Sequence, residues 1–285
     1  MTAVVVTGAS GLLGSHVVAH LIQAGRDVRA VDIRPGNPTP DCPFVTADLT
    51  ELGATVQALA GAEAVIHTAA IPRPTGRTGS DVFSTNVLAA YNVTEAAKIH
   101  GTRRIVNASS FSVIGWPFNV QPLLPEFLPI DESHPLAPQE AYGLSKLVTE
   151  QVVTAAVRCC PPLSAVNLRF PWIQTAASFD VDVVSSRRDG ATAPGNLWAY
   201  IDAEDAAAAF GAALDATTED IASVYLSAPD TFMEEETGEL VRASFPGVEL
   251  RRELPGHASL ICSDAAERLL GFRPSRSWRS YGGGA

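Results

Sequence analysis

The sequence predicts an α/β protein whose core is a doubly wound parallel sheet. Short runs rich in β-branched residues alternate with helix-length segments, a pattern typical of βα units with helices on both faces of the sheet. Apolar residues make up 46% of the 285 residues, enough for a large core. The predicted strands are 3–7, 27–32, 64–67, 103–107, 163–168 and 222–226. The predicted helices are 11–24, 49–60, 81–100, 139–158 and 202–214. Two aperiodic stretches, 116–138 and 174–195, are predicted as long functional loops.

The charge balance excludes several classes of partner. The chain has 31 acidic and 20 basic residues and no basic stripe, so we expect neither nucleic acid nor a membrane surface as partner. No apolar run reaches the roughly 20 residues of a membrane span, and the amino terminus lacks a charged leader. Four cysteines give neither a disulfide framework nor metal-ligand spacing. These features predict a cytoplasmic protein without a metal site.

The first predicted strand runs directly into a glycine-rich turn that suits a phosphate. Gly8, Gly11 and Gly14 are spaced G-x-x-G-x-x-G between a strand and a helix. The first glycine permits a tight turn, the second lets the backbone approach a pyrophosphate, and the third lets the helix pack closely on the strand. The free N–H groups and positive dipole end of the helix favour phosphate. The turn therefore predicts a dinucleotide site.

An acidic residue at the end of the second predicted strand favours NAD over NADP. The Asp32 carboxylate can accept hydrogen bonds from a ribose 2′-hydroxyl, and it would repel a 2′-phosphate. Arg34 could pair with such a phosphate, so NADP remains the alternative. Asp48 ends the next strand region, where a carboxylate can meet the adenine amino group. A helix N-cap is the other interpretation of Asp48.

Tyr142 and Lys146 share one face of a predicted helix, because they stand four residues apart. A phenol titrates near pH 10 when unperturbed, and an ammonium one turn away is expected to lower that pKa. Such a Tyr can exchange a proton with an alcohol while hydride leaves or reaches its carbon. Lys146 is one of only two lysines beside 18 arginines, and the planar fork of Arg would be a poor substitute here.

Besides Tyr142 and Lys146, a third residue should donate a hydrogen bond to the substrate oxygen. Ser109 and Ser110 follow the strand 103–107, at the carboxyl end where parallel sheets bind ligands, and Ser112 is a rival. The residues alone do not rank the three.

Together these features resemble the extended short-chain dehydrogenase/reductases, also called the NAD-dependent epimerase/dehydratase family. The motifs that carry the resemblance are the turn 7–14, Asp48-Leu49, the segment 65–70, Asn86-Val87, Ser110 five residues before Gly115, Tyr142-Gly143-Leu144-Ser145-Lys146, Tyr200-Ile201-Asp202 and 269–274. The resemblance implies a Rossmann domain with a small C-terminal substrate-binding lobe. The cofactor core would cover residues 1–168, with its sheet completed by about 198–228, and the lobe would cover 169–197 and 229–285.

The resemblance also implies roles for individual residues. The implied catalytic residues are Ser110, Tyr142 and Lys146. The implied cofactor-binding residues are Gly8, Ser10, Gly11, Leu12, Leu13, Gly14, Asp32, Ile33, Asp48, Leu49, His67, Ala69, Ala70, Tyr142, Lys146 and Phe170. The expected substrate-binding residues are Ser110, Phe111, Ser112, Trp172 and Arg187. By its strand-end position, His67 is expected to be a packed residue rather than a proton donor, and Asn86 is expected to bond the backbone.

Departures from the family pattern narrow the activity. Sugar-nucleotide dehydratases carry an Asp-Glu pair after the catalytic hydroxyl, where this chain has Phe111-Ser112. Nucleotide-sugar epimerases usually have an Asn where Pro171 stands. The short chain and its serine pair are similar to uronate dehydrogenases, although Phe111 replaces their Asn. Four aromatic residues would line either an apolar substrate pocket or the core of the lobe, namely Trp116, Phe118, Phe127 and Trp172.

We therefore predict an NAD-dependent oxidoreductase that transfers a hydride between nicotinamide and a secondary alcohol or a sugar hemiacetal carbon. The alternative is a sugar epimerase that keeps its NAD and shows no net redox change. A dinucleotide-sensing protein without turnover is disfavoured, because such relatives usually lose the Tyr-Lys pair. A small-molecule substrate and a homodimer through the helices 81–100 and 139–158 are expected by resemblance.

Overall fold

The computed structural model describes residues 3–35, 42–116, 118–179, 181, 193–218 and 220–281. The strands are β1 (Ala3–Thr7), β2 (Val28–Asp32), β3 (Phe44–Thr46), β4 (Ala62–His67), β5 (Arg104–Ser110), β6 (Phe127–Leu128), β7 (Ser164–Phe170), β8 (Trp172–Gln174), β9 (Tyr200–Asp202), β10 (Ile221–Tyr225) and β11 (Glu249–Leu250). The helices are α1 (Leu12–Gln23), α2 (Leu52–Ala58), α3 (Gly79–His100), α4 (Ala141–Cys159), α5 (Ala203–Asp215), α6 (Thr237–Ser244) and α7 (Asp264–Leu270).

Seven parallel strands form the central sheet in the order β10-β7-β5-β4-β1-β2-β3. The strand order reverses direction between β1 and β4, where such sheets open a crevice for a ligand. One face of the sheet packs on α1, α5 and α7, and the other packs on α2, α3 and α4. The predicted doubly wound α/β fold is therefore confirmed.

Local sequence signals position the two helices that carry the predicted site. The hydroxyl of Thr78 accepts the Asp81 N–H at the start of α3, and Gly101 ends that helix with a φ of 66°. The side chain of Glu140 caps α4 by accepting the N–H groups of Tyr142 and Gly143. This cap places Tyr142 in the first turn of α4, at the carboxyl edge of the sheet.

A second hydrophobic core lies beyond the carboxyl edge of the sheet. Its buried members include Phe111, Trp116, Leu128, Phe179, Trp198, Tyr200, Tyr225, Phe232, Phe245 and Leu260. The small strand pairs β6–β11 and β8–β9 join distant parts of the chain around this core. The core also draws on residues 111–128, which the predicted boundaries assign to the cofactor domain. The division at residue 168 stays a prediction.

Two local differences from the predicted elements affect the site. Strand β5 continues through Ser110, so the serine pair lies within the strand and not after it. Helix α2 begins at Leu52 instead of residue 49, because Asp48 and Thr50 form a turn before it. Among the described residues, no helix is both long and apolar enough to span a membrane.

Candidate active site

The glycine-rich turn packs so closely that side chains are excluded from two of its positions. A Cβ on Gly14 would lie 2.1 Å from the carbonyl oxygen of Gly8, and one on Gly8 would lie 2.6 Å from the backbone nitrogen of Ala69. Gly8 also has a φ of 71°. Helix α1 starts at the N-cap Gly11 with no side-chain cap and no acid in its first turn. Its N–H groups are therefore available to an anion, and the turn fits a dinucleotide pyrophosphate.

Asp32 is fixed beside this turn by two backbone N–H groups. Its Oδ2 accepts the Ser10 N–H at 2.9 Å, and its Oδ1 accepts the Arg34 N–H at 3.3 Å. The Ser10 hydroxyl donates to the Arg34 carbonyl at 2.8 Å, which ties the turn to the end of β2. Ile33 and Leu12 are exposed at this edge. The structure thus brings together the residues predicted to hold the adenosine half.

Asp48 and Leu49 have different surroundings. One oxygen of the exposed Asp48 accepts both the N–H and the hydroxyl of Thr50, which is the local turn role considered as the alternative. Leu49 is buried in the core under α2, and its carbonyl accepts an Asn92 side-chain N–H. A ligand could therefore meet Leu49 mainly through its backbone.

His67 is a buried neutral residue at the end of β4. Its Nδ1 lies 2.8 Å from the hydroxyl of Thr7. Burial, together with the nearby Lys146 ammonium, lowers the pKa of His67 to about 3. Ala69 and Ala70 follow it and are half-buried beside the glycine turn. This geometry matches the expectation of a packed residue.

Asn86 joins α3 to both the 68–71 segment and α4. Its side chain accepts the Ile71 N–H at 2.7 Å and donates to the Ile71 carbonyl at 3.2 Å and to the Ser145 hydroxyl at 3.0 Å. These bonds to the backbone agree with the structural role expected of Asn86. They hold the helix that carries Tyr142 and Lys146 against the rest of the cofactor cleft.

Tyr142 and Lys146 lie together at the carboxyl edge of the sheet. The Lys146 Nζ donates to the Ala108 carbonyl at 2.7 Å and lies 5.9 Å from the centroid of the Tyr142 ring. Phe118, half-buried, packs against the same ring at an interplanar angle of 83° with centroids 6.2 Å apart. The phenol is thus flanked by an ammonium and an aromatic wall.

The expected lowering of the Tyr142 pKa is wrong. Burial raises the pKa of Tyr142 to about 12, although a hydrogen bond from Ser110 acts in the opposite direction. The Glu140 carboxylate also raises it. Burial lowers the pKa of Lys146 to about 8. Desolvation opposes charge on both groups and is the largest influence on each pKa.

The structure separates the three candidate serines. The Ser109 hydroxyl donates to the buried Glu150 carboxylate, two turns along α4 from Tyr142, so its proton is already engaged there. The Ser110 hydroxyl donates to the Ser112 hydroxyl at 3.1 Å and accepts the Ser112 N–H at 3.1 Å. Since Ser110 is also close enough to Tyr142 to lower the pKa of its phenol, its position suits the substrate oxygen best.

The four aromatic residues predicted to line either an apolar pocket or the core of the lobe divide into two groups. Trp116 and Phe127 are buried, Trp116 stacking on Phe245 in the lobe core. Phe118 and Trp172 are only partly buried: Trp172 packs against that core, and Phe118 contacts the Tyr142 ring. Phe111, expected to bind substrate, is 1% exposed in the same core. The pocket interpretation stays a prediction, and of the four residues only Phe118 and Trp172 have partly exposed rings that could serve it.

Phe170 and Arg187 are predicted to contact the cofactor and the substrate, respectively. The ring of Phe170 is buried against Phe210 with centroids 5.6 Å apart, which leaves its backbone as the part available to a cofactor. Arg187 lies outside the described residues. Among the described residues, no cluster of His, Cys, Asp or Glu could hold a metal ion.

Sequence reasoning missed a buried ion pair under the site. Glu150 accepts the Nε and Nη2 of Arg169 at 2.9 and 2.7 Å, and both side chains are at most 6% exposed. The only local signal was the position of Glu150 two turns after Tyr142 on one helix face, because its partner lies on β7. The sequence places Phe118 among four aromatic residues without indicating its contact with Tyr142.

The fold and this site define a dinucleotide-binding protein with a tyrosine-lysine centre. A family model described as NAD dependent epimerase/dehydratase family matches residues 4–176. The chain belongs to this family, which confirms the resemblance drawn from the motifs. The family is one of NAD-dependent enzymes, in agreement with the predicted cofactor.

The proteins similar to this chain in sequence include both epimerases and a uronate dehydrogenase. A putative UDP-glucose 4-epimerase of Methanocaldococcus jannaschii is 33% identical over 157 residues, covering 53% of this chain and 49% of that protein. A uronate dehydrogenase of Pseudomonas putida is 31% identical over 150 residues, covering 52% and 53%. The chain spans about half the length of the curated relatives it matches.

Solved structures match over almost the whole chain. A short-chain dehydrogenase/reductase superfamily protein from Agrobacterium tumefaciens with bound NAD has a TM-score of 0.75 and 27% identity, covering 97% of this chain and 94% of that one. MoeE5 in complex with UDP-glucuronic acid and NAD has a TM-score of 0.73 and 27% identity, covering 98% and 96%.

Proposed function

We propose that this protein is an NAD-dependent dehydrogenase acting on a secondary alcohol or a sugar hemiacetal carbon. The arrangement of Ser110, Tyr142 and Lys146 at the carboxyl edge of the sheet carries the proposal. The glycine turn and Asp32 would hold the pyrophosphate and adenosine ribose, and Lys146 would bond the other ribose. NAD, when bound, supplies the hydride acceptor or donor.

The residues of the chain then have distinct tasks in the reaction. Ser110 orients the reacting oxygen, and Tyr142 exchanges a proton with it. In the oxidation direction the phenol must first lose its own proton, which its buried position disfavours. Lys146 is the charged group available to stabilise the phenolate. The partly exposed rings of Phe118 and Trp172 would contact an apolar part of the substrate.

A spectrophotometric screen for NADH formation tests the proposal. The panel contains uronates, free sugars, lactols and hydrophobic secondary alcohols, each with NAD and with NADP. We expect NADH formation with at least one class. NAD that co-purifies with the protein, together with no net NADH from any substrate, would instead support a sugar epimerase, an activity found among the relatives.

Cofactor choice gives a first prediction. Asp32→Ala removes the carboxylate that would bond the 2′-hydroxyl, so we expect NAD affinity to fall about tenfold, the effect of roughly 1.4 kcal/mol. NADP affinity should fall less or rise, because a negative charge near its phosphate is removed. Fluorescence titration with both cofactors measures this. An equal loss for both would contradict the role of Asp32, and Asp27→Ala at the other end of β2 is the control.

We further propose a homodimer that buries the outer face of α3 and α4. Leu88, Tyr91 and Ile99 are 44–61% exposed on α3, and Leu144 is 42% exposed on α4. Exposed apolar side chains on adjacent helices are typical of an interface. The family resemblance suggests the same surface. The cytoplasmic setting stays a prediction.

The interface gives a second prediction. The double substitution Leu88→Glu and Tyr91→Glu places two charges on this face, so we expect sedimentation equilibrium to give half the mass of the unaltered protein. Leu250→Glu, which changes an equally exposed leucine on β11, should leave the mass unchanged. A monomeric unaltered protein, or an unaltered mass in the double variant, would contradict the proposed interface.

A further inference from the structure

Glu150 lies one helical turn after Lys146, in the interior below the active site. Its carboxylate accepts the Ser109 hydroxyl from β5 and two guanidinium N–H groups of Arg169 from β7. Glu150 is 3% exposed, Lys146 6% and Arg169 5%. Two cations and one anion are therefore buried together.

Among the described residues, few other charges lie near Lys146 on the elements around it. From α4 come Tyr142 and Glu150, and from β4 comes His67, which is neutral. The Ala108 carbonyl of β5 accepts from Lys146, the Asn86 amide of α3 bonds the adjoining Ser145, and neither carries a charge. The Arg169 guanidinium of β7 is bound to Glu150. Within this described part of the chain, Glu150 is thus the negative charge that acts on the ammonium.

The far side of Glu150 is also occupied. The Arg169 guanidinium lies 5.0 Å from the centroid of the Tyr225 ring, and the Tyr225 N–H donates to Glu132 at 2.8 Å. Burial raises the pKa of both Tyr225 and Glu132, and the Arg169 guanidinium acts in the opposite direction on each. Glu150 is the bidentate partner of Arg169.

We propose that Glu150 is a positioning residue whose carboxylate keeps Lys146 in its charged form. Without that carboxylate, the ammonium and the guanidinium would be two like charges in a desolvated interior. Arg keeps its proton in proteins, so the lysine would be the group that becomes neutral. The consequence for catalysis rests on the proposed function, because an uncharged Lys146 could not stabilise the Tyr142 phenolate.

The chain has only two lysines, which makes a direct test possible. Protein labelled with ¹³C at lysine Cε gives two resonances, and Lys98→Arg assigns them. The hydrogen bond to Glu95 keeps the pKa of Lys98 above its ordinary value, while burial lowers that of Lys146 to about 8, so the two titrations separate. Lys98 then serves as an internal reference in every variant.

In Glu150→Gln, we expect the Lys146 titration to move down by about one to three pH units while that of Lys98 stays in place. Two variants keep the charge and serve as controls. Ser109→Ala removes one hydrogen bond to Glu150, and Glu150→Asp retains the carboxylate. In both variants the Lys146 titration should lie closer to that of the unaltered protein than it does in Glu150→Gln. An unchanged Lys146 titration in Glu150→Gln would overturn the proposal.

A second variant covers the case in which Glu150→Gln does not fold. Glu150→Gln combined with Arg169→Met removes both members of the buried Glu150–Arg169 ion pair, and the Lys146 pKa should still lie below that of the unaltered protein, because Glu150 is the charge that raises it. A pKa at or above the unaltered value would overturn the proposal. The NMR titration needs no turnover, so a protein inactive in the substrate screen with a shifted Lys146 would refute the proposed function alone.

Discussion

Tyr142→Phe is expected to reduce turnover about 10²- to 10⁴-fold, the usual contribution of a positioned general acid or base. The substitution removes the phenolic hydroxyl and retains the ring that contacts Phe118 and lies near Lys146. NAD affinity should therefore stay within about twofold, since the lost group acts mainly in the transition state. Steady-state kinetics on the best substrate of the screen, together with cofactor titration, measures both quantities.

Tyr91→Phe is the matched control for this experiment. Tyr91 is half exposed on α3, so removal of its hydroxyl should leave turnover unchanged. Turnover retained in Tyr142→Phe would refute the assignment of the proton-transfer group. A large loss of NAD affinity in that variant would show that the hydroxyl supports cofactor binding instead.

Arg169→Met is expected to lower the free energy of unfolding by about 3–5 kcal/mol, the cost of leaving one member of a buried ion pair alone. Both partners are at most 6% exposed, and the guanidinium makes two bonds to the Glu150 carboxylate. Met fills similar space but cannot donate to that carboxylate. Urea denaturation followed by circular dichroism measures the change.

Arg273→Met provides the comparison at the surface. Arg273 pairs with Asp264 and Glu267, but its side chain is 52% exposed, so its loss should cost less than about 1 kcal/mol. A similar small cost for Arg169→Met would mean that water reaches Glu150. Adding Glu150→Gln to Arg169→Met should recover part of the stability, because the unpaired charge is then removed.

Much of the cofactor domain was predictable because its signals are local. The run Val4-Val5-Val6 is buried on both faces of the sheet, so it reads as a strand without any knowledge of its neighbours. Gly101 ends α3 by adopting a left-handed conformation that favours glycine. The lobe strands β8 and β9 have three residues each, which is too short to show an alternating hydrophobic pattern. Their pairing joins residues 28 positions apart in the chain.

The site was predictable where spacing along one element sets the geometry. Tyr142 and Lys146 share a face of α4 because a helix repeats every 3.6 residues, and the glycine spacing defined the turn before α1. The choice among the serines was not local in this sense. It depended on β5 continuing through Ser110, which sends adjacent side chains to opposite faces and gives Ser109 to Glu150.

The order of the βα units, the glycine turn and the tyrosine-lysine pair could be predicted from the sequence, since each depends on residues close together in the chain. Which groups lose contact with water, and which charges share the interior, depends on the packing of distant elements. Burial raises the pKa of Tyr142 and lowers that of Lys146. Packing of α4 on β7 brings Glu150 into contact with Arg169. Desolvation depends on everything packed around a group, so residue spacing cannot specify it.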